Sequence, residues 1–192
     1  MAILAVQPDT AVEFTPASQT VVQSVAQRGL LKWWSDPRRN GHLPSRADTK
    51  DEALLSRWPD MTLYEVQRGD AGLRYKCLSH GTRLREIDGG DLTGRYLDDF
   101  FPEPIKQGAL AAYDATVSMR RPVYTVRNAI DARGVPVTFE RIRVPLSDSD
   151  GQIDHVLTHV EIFCGDGNYQ RDNLLLAGVS IRDYAMTAVL TS

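Results

Sequence analysis

Cysteine is scarce: Cys77 and Cys164 are the only two in 192 residues. That is too few for a disulfide framework, and their spacing matches no metal motif. Long apolar runs are also missing, since none approaches the ~20 residues needed to span a bilayer. Met1-Ala-Ile-Leu-Ala-Val6 has no charged leader and soon meets Pro8 and Asp9, which makes a poor signal peptide. Charge of one sign is not in excess. A net charge of −3 and a pI near 5.8 offer no global attraction for nucleic acid or an anionic membrane. No Gly-x-Ser-x-Gly elbow occurs, and neither Cys has a His near it in sequence. Repeats and low-complexity tracts are absent too. These gaps lead us to expect a cytoplasmic, non-catalytic protein with reduced thiols, without nucleic-acid binding or membrane insertion.

What is present is ordinary globular material. With 42% hydrophobic and 24% charged residues, the chain suits one folded domain with terminal extensions better than two domains. Residues 1–19 show no sustained period and read as a flexible arm. A helix is predicted over Val21–Trp34, entered through the capping-box spacing Thr20-Val-Val-Gln23 and stopped by Asp36-Pro37. Val22, Val25, Ala26, Gly29 and Trp33 would be its buried stripe. Trp33 and Trp34 are adjacent, so one should enter that core and the other be left for the 36–48 loop, a partner or a dimer mate. The first helix with an exposed Trp is the expected dimer surface. A turn-rich loop over 38–48 leads to a second capping box at Thr49–Glu52 and a short helix through Leu54, Leu55 and Trp58 that Pro59 ends.

From residue 61 the texture changes to strand alternation. Strands are predicted at 61–66, 73–79, 123–130, 137–146 and 155–163, with turns at Arg68-Gly69-Asp70, Asp131–Gly134 and Asp148–Gly151. Asp148-Ser-Asp-Gly151 begins like a calcium loop but lacks the later ligands, so it reads as a hairpin turn. Between the second and third strands come a short helix, the Gly-rich segment 89–94 and a longer helix over Ile105–Met119. Pro104 would open that helix, and Ile105, Ala109, Ala112, Tyr113 and Thr116 would share one side. The order predicts an α+β fold: a five-stranded antiparallel sheet with helices on one face and a helical cap before it.

Leu43-Pro-Ser-Arg-Ala-Asp48, Trp58-Pro-Asp-Met61, Gly81-Thr82, Gly90-Asp-Leu-Thr-Gly-Arg95 and Arg121-Pro-Val-Tyr124 together resemble the PAS-like subfamily typical of alphaproteobacteria, first catalogued as a domain of unknown function. The likeness covers roughly residues 25–163. Within it Pro44, Arg46, Asp48, Gly81, Thr82, Gly94 and Arg95 would be structural, with Arg46 holding backbone carbonyls and carboxylates. Two departures stand out: no Pro near Lys50 or Asp51, and one residue too many around His80 in the strand leading to Gly81-Thr82. The resemblance implies a sensory or adaptor domain in bacterial signal transduction. It would act by protein contact, as a homodimer with an unknown signalling partner and with a small ligand or none. The parts would then be a cap over 20–59, a PAS-like core over 60–163 and a tail over 164–192 without output machinery. Leu174–Leu176 and Val179–Ile181 of that tail would dock onto the domain or a partner.

The cofactor is left unknown. The segment 91–104 lacks the Cys used in covalent flavin photochemistry, and 105–119 lacks a His for haem. If a pocket exists, its predicted lining is Tyr75, Cys77, Tyr113, Tyr124, Val126, Asn128, Glu140, Ile142, Thr158 and Val160. Glu140 and Asn128 must then face water or meet something polar. His155 and His159 share a strand face with Glu161, which could be a metal trio or an ordinary sheet surface. The second reading is preferred, so no metal is expected. Arg-x-x-Asp occurs at Arg57/Asp60, Arg85/Asp88 and Arg95/Asp98, a pattern some cyclic-dinucleotide regulators use. Such a regulator, or a small ligand-binding or catalytic α+β fold with a polar pocket, is the alternative.

Overall fold

Alternation from residue 61 onward builds the centre of the molecule. The computed structural model describes residues 12–36, 41–101, 103, 105–170, 172 and 181–191. The strands are β1 (Thr15–Ser18), β2 (Met61–Gly69), β3 (Gly72–His80), β4 (Val123–Ile130), β5 (Pro136–Ser147), β6 (Ile153–Cys164) and β7 (Ile181–Thr191). They form one sheet in the order β1-β7-β4-β5-β6-β2-β3. All neighbours are antiparallel except β1 and β7.

Five of these are the predicted strands, in an α+β architecture as expected. The sheet is two strands wider than five, because Thr15–Ser18 and Ile181–Thr191 extend it beyond β4. The extra residue sensed near His80 is a β-bulge. Leu63 pairs with Ser79 and Tyr64 with Cys77, so Leu78 is left over.

One sheet face is covered by α1 (Val25–Trp34). The helix begins four residues later than its capping box suggests. Ser18 caps a 3-10 turn at Gln19–Val21, and Ser24 caps α1 by accepting the Gln27 N–H at 3.2 Å. Its buried residues are Gln27, Leu30, Leu31, Trp33 and Trp34, so Trp33 is shared with the predicted stripe, while Val25 is 75% exposed. Both tryptophans are therefore buried, contrary to the sequence reading. Adjacent side chains diverge by about 100° on a helix, but the sheet and the flanking loop cover a wider arc here. Trp34 Nε1 also donates to the Pro145 carbonyl at 2.8 Å. Under α1 lie Leu63, Tyr124, Ile142, Val144, Leu146, Leu157 and Leu190.

The opposite face carries α3 (Thr82–Asp88), α4 (Leu97–Phe100) and α5 (Ile105–Met119), while a short α2 (Glu52–Leu55) precedes β2. The residue range of α5 matches its prediction. Pro104, Pro37, Arg38, residues 1–11 and Leu174–Ser180 lie outside the described residues.

The loop residues singled out by the resemblance make local contacts that differ from one to the next. Asp48 accepts the Ser45 N–H at 2.7 Å and its hydroxyl at 2.8 Å, and the Pro44 carbonyl accepts the Ser147 N–H at 2.9 Å. Arg46 is exposed and its guanidinium bonds no described residue; it is Asp48 that organises the loop. Gly81 caps α3 where the chain passes under the Trp58-Pro59 peptide. A Cβ there would sit 2.3 Å from the Pro59 oxygen and 2.4 Å from the Trp58 oxygen. Thr82 begins α3 on the exposed side.

Candidate functional site

Helices α3, α4 and α5 do not close completely on the sheet, and a cavity of about 170 Å³ remains between them. The sheet contributes Tyr64 from β2, Arg127 from β4, Phe139, Arg141 and Arg143 from β5, and Thr158 and Val160 from β6. Leu84 and Asp88 of α3, Leu92, Phe100 of α4, Phe101 and Tyr113 of α5 close it from the helical side. Tyr184 of β7 and Tyr169 stand at its margin.

The predicted pocket residues divide between the two faces. Tyr113 and Thr158 meet inside, their hydroxyl oxygens 2.9 Å apart, and Val160 is beside them. Tyr75 and Cys77 are on the same face but pack behind the lining. Tyr75 stacks on Tyr113 at 5.0 Å and donates its hydroxyl to Asp114 at 2.5 Å. Burial raises the Cys77 thiol pKa to about 12. Tyr124, Val126, Asn128, Glu140 and Ile142 lie on the α1 face instead. The register decides this, because Arg141 pairs with Val160 and Arg143 with Thr158. Cross-strand partners share a face, so arginines face the cavity and Glu140 does not. Glu140 meets the Tyr124 hydroxyl, whose pKa is raised by burial and then by that carboxylate. Asn128 is exposed and accepts the Thr138 hydroxyl at 2.9 Å.

Three cavity residues that sequence reasoning missed are cationic. Arg143 is 2% exposed; its Nη1 donates to Thr125 Oγ1 at 3.1 Å, and its guanidinium lies 4.9 Å from the Tyr113 ring centre. Its buried Nε has no hydrogen-bond partner. The Arg141 guanidinium lies 5.0 Å from the Phe139 ring centre, and that of Arg127 is 4.1 Å from Tyr184. Burial, then Arg143 beside it, pulls the Arg141 pKa below the usual guanidinium value. Among the described residues, no carboxylate lies within ion-pair distance of Arg141 or Arg143. Two arginines two positions apart in the strand Val137–Leu146 were the sequence signal, since they must share a face.

Among the described lining residues the one carboxylate, Asp88, is engaged by a buried histidine. His80 Nε2 lies 3.0 Å from Asp88 Oδ2, while Nδ1 accepts the Leu92 N–H at 3.1 Å. These contacts assign the proton to Nε2. The Asp91-Leu-Thr-Gly-Arg95 turn is tied to the same place. Asp91 Oδ1 accepts the Thr93 N–H and hydroxyl, and Gly94 N–H donates to the Cys77 carbonyl at 2.8 Å. The Arg95 carbonyl accepts the Cys77 N–H at 2.9 Å. Gly94 has φ +86°, the left-handed region that favours glycine.

The sheet order and the helices crossing one face have a counterpart in sequence: residues 22–160 match the PAS domain family. The chain belongs to that family. PAS domains are non-catalytic sensory and regulatory modules, and this one keeps its chamber between α5 and the sheet. The matched range ends inside β6, so β1 and β7 lie outside it. A solved structure described as that of an RNA-binding light-oxygen-voltage receptor is similar at 15% identity and a TM-score of 0.40. The likeness covers 87% of this chain, which spans 41% of that one. No curated protein matches.

The remaining sequence candidates are scattered. Asp60 pairs with Arg83 at 3.1 Å, Arg85 with Asp91 at 3.0 Å, and Asp98 with Arg74 at 2.9 Å, so the three Arg-x-x-Asp triplets form no common site. His155 and His159 are buried on the α1 face, and among the described residues no three His, Cys, Asp or Glu converge as metal ligands. Asp148 accepts the Gln152 N–H at 2.8 Å and holds the hairpin turn. No described helix is long and apolar enough to cross a membrane.

Proposed function

We propose that this PAS protein is a sensory module in bacterial signal transduction. It takes a small organic molecule into the chamber beneath α5 and passes the signal on through a changed protein contact. The observation that carries this reading is the chamber itself. Close packing ordinarily leaves few voids larger than a water molecule, whereas this one holds about 170 Å³. An organic ligand fits it better than solvent, because aromatic and aliphatic side chains form most of the wall. Occupancy would reach the surface through α3 and α4, whose Leu84, Asp88 and Phe100 line the chamber. The working assembly is a cytoplasmic homodimer. Its surface needs an anchor other than the tryptophans of α1, which are buried.

Native mass spectrometry of protein purified from its own host tests the reading. A co-purifying small molecule released on denaturation is the expected result. Protein that carries nothing, and whose melting temperature no small organic molecule changes, would make the domain a scaffold.

A further inference from the structure

The chamber combines an apolar wall with a surplus of positive charge. Among the described lining residues, Arg141 and Arg143 stand against one carboxylate, Asp88, which His80 already engages. Arginine does not shed its proton inside proteins, so these charges persist on burial. Two of the compensations seen are weak ones: the ring faces of Phe139 and Tyr113. A third is a single hydroxyl, that of Thr125. Arg143 offers five N–H donors in a rigid fork, yet its Nε is unpartnered although the residue is 2% exposed. An unpaired buried charge is a costly feature to keep, and here it faces a cavity rather than solid core.

We infer that the chamber binds an organic monocarboxylate, its carboxylate on Arg141 and Arg143 and its apolar body against Leu92, Phe100, Phe101 and Ile105. This inference rests on the reading of the cavity as a ligand chamber and adds the chemical class. A planar carboxylate accepts two parallel N–H bonds from a guanidinium fork. The volume limits the size of the apolar body attached to that carboxylate. An engineered cavity of about 150 Å³ in another protein holds one benzene, so about 170 Å³ accommodates one ring or a short alkyl chain. The aromatic wall favours the ring.

Isothermal titration calorimetry on the full chain decides the matter, with benzoate, phenylacetate and octanoate as probes. Benzamide and benzyl alcohol serve as neutral counterparts, and phenyl phosphate as the competing anion. At least one carboxylate should bind, tenfold or more tighter than its neutral counterpart and tighter than phenyl phosphate. R141Q should weaken that binding at least tenfold, and R143Q should do the same if it folds. Ala109→Phe, which fills the chamber from α5, should abolish it. If benzyl alcohol binds as well as the carboxylates and R141Q changes nothing, the anionic class is overturned while the chamber survives. Tighter binding of phenyl phosphate overturns the carboxylate in favour of a phosphate ester. If no probe binds and Ala109→Phe raises the melting temperature, the chamber reading fails together with this inference.

Discussion

Acidification from pH 7 to pH 5 should destabilise the protein through one imidazole. His159 is 1% exposed, on β6 between Met61 of β2 and Ile142 of β5. Burial above all, then the charges of Arg57 and Arg83, hold its pKa at about 4 instead of 6.5. The unfolded chain takes up the proton near pH 6.5 and the folded chain only near pH 4. Between those values the unfolded state binds more protons, so stability falls as pH falls. The contribution is complete above pH 6.5 and gone below pH 4. The shift is worth about 3 kcal/mol in total, of which about 2 kcal/mol falls between pH 7 and pH 5. In a domain of this size that corresponds to a melting temperature lower by about 4–8 °C. Carboxylates titrate in the same window, so the informative quantity is the difference from His159→Gln, which cannot titrate there. Scanning calorimetry at pH 7, 6 and 5 should show the wild type losing about 4–8 °C more than the variant. Parallel curves would refute the assignment of a neutral buried imidazole.

Gly81→Ala should cost about 3 kcal/mol or more in urea unfolding, because its Cβ would strike two backbone carbonyl oxygens; a midpoint equal to wild type would contradict that close approach. Arg46→Ala should leave stability within about 0.5 kcal/mol, since Arg46 is exposed. Asp48→Ala should lose about 2 kcal/mol with its two hydrogen bonds to Ser45, and thermal melts showing the reverse order would restore the organising role to Arg46. A chain ending at residue 170 lacks β7 and exposes the backbone edge of β4. It should melt well below the full chain and associate in size-exclusion chromatography, and an unchanged melting temperature would mean that β7 is an ornament on the sheet.

Local signals located most elements. The helix α5 and strands β4, β5 and β6 were readable to within a residue or two, because apolar alternation and helical period act over a few positions. The Leu43–Asp48 loop and the Asp91–Arg95 turn were readable because short polar side chains bond neighbouring backbone. The chamber was only partly readable. Tyr113 and Thr158 were found, but Glu140 and Asn128 were assigned to the wall that Arg141, Arg143 and Arg127 occupy. Alternation says which residues share a face within one strand and nothing about which face meets which helix. The Ser24 cap lies four residues beyond the predicted one, and of the predicted stripe Val22 and Trp33 are buried while Val25 is exposed.

From the sequence alone came an α+β chain whose five central strands alternate, whose long helix starts at Ile105, and whose cysteines form no scaffold. These properties depend on neighbours along the chain. Tertiary structure decided what depends on distant pairing. Strand β7 reaches the β4 edge from residues 181–191, far along the chain from the strand it joins. The pairing of Arg141 with Val160 turned two arginines inward. A register is settled by the summed contacts of two whole strands, and a shift of one residue would exchange every side chain between the α1 core and the chamber. The observed register, not the shifted one, is what makes the cavity cationic.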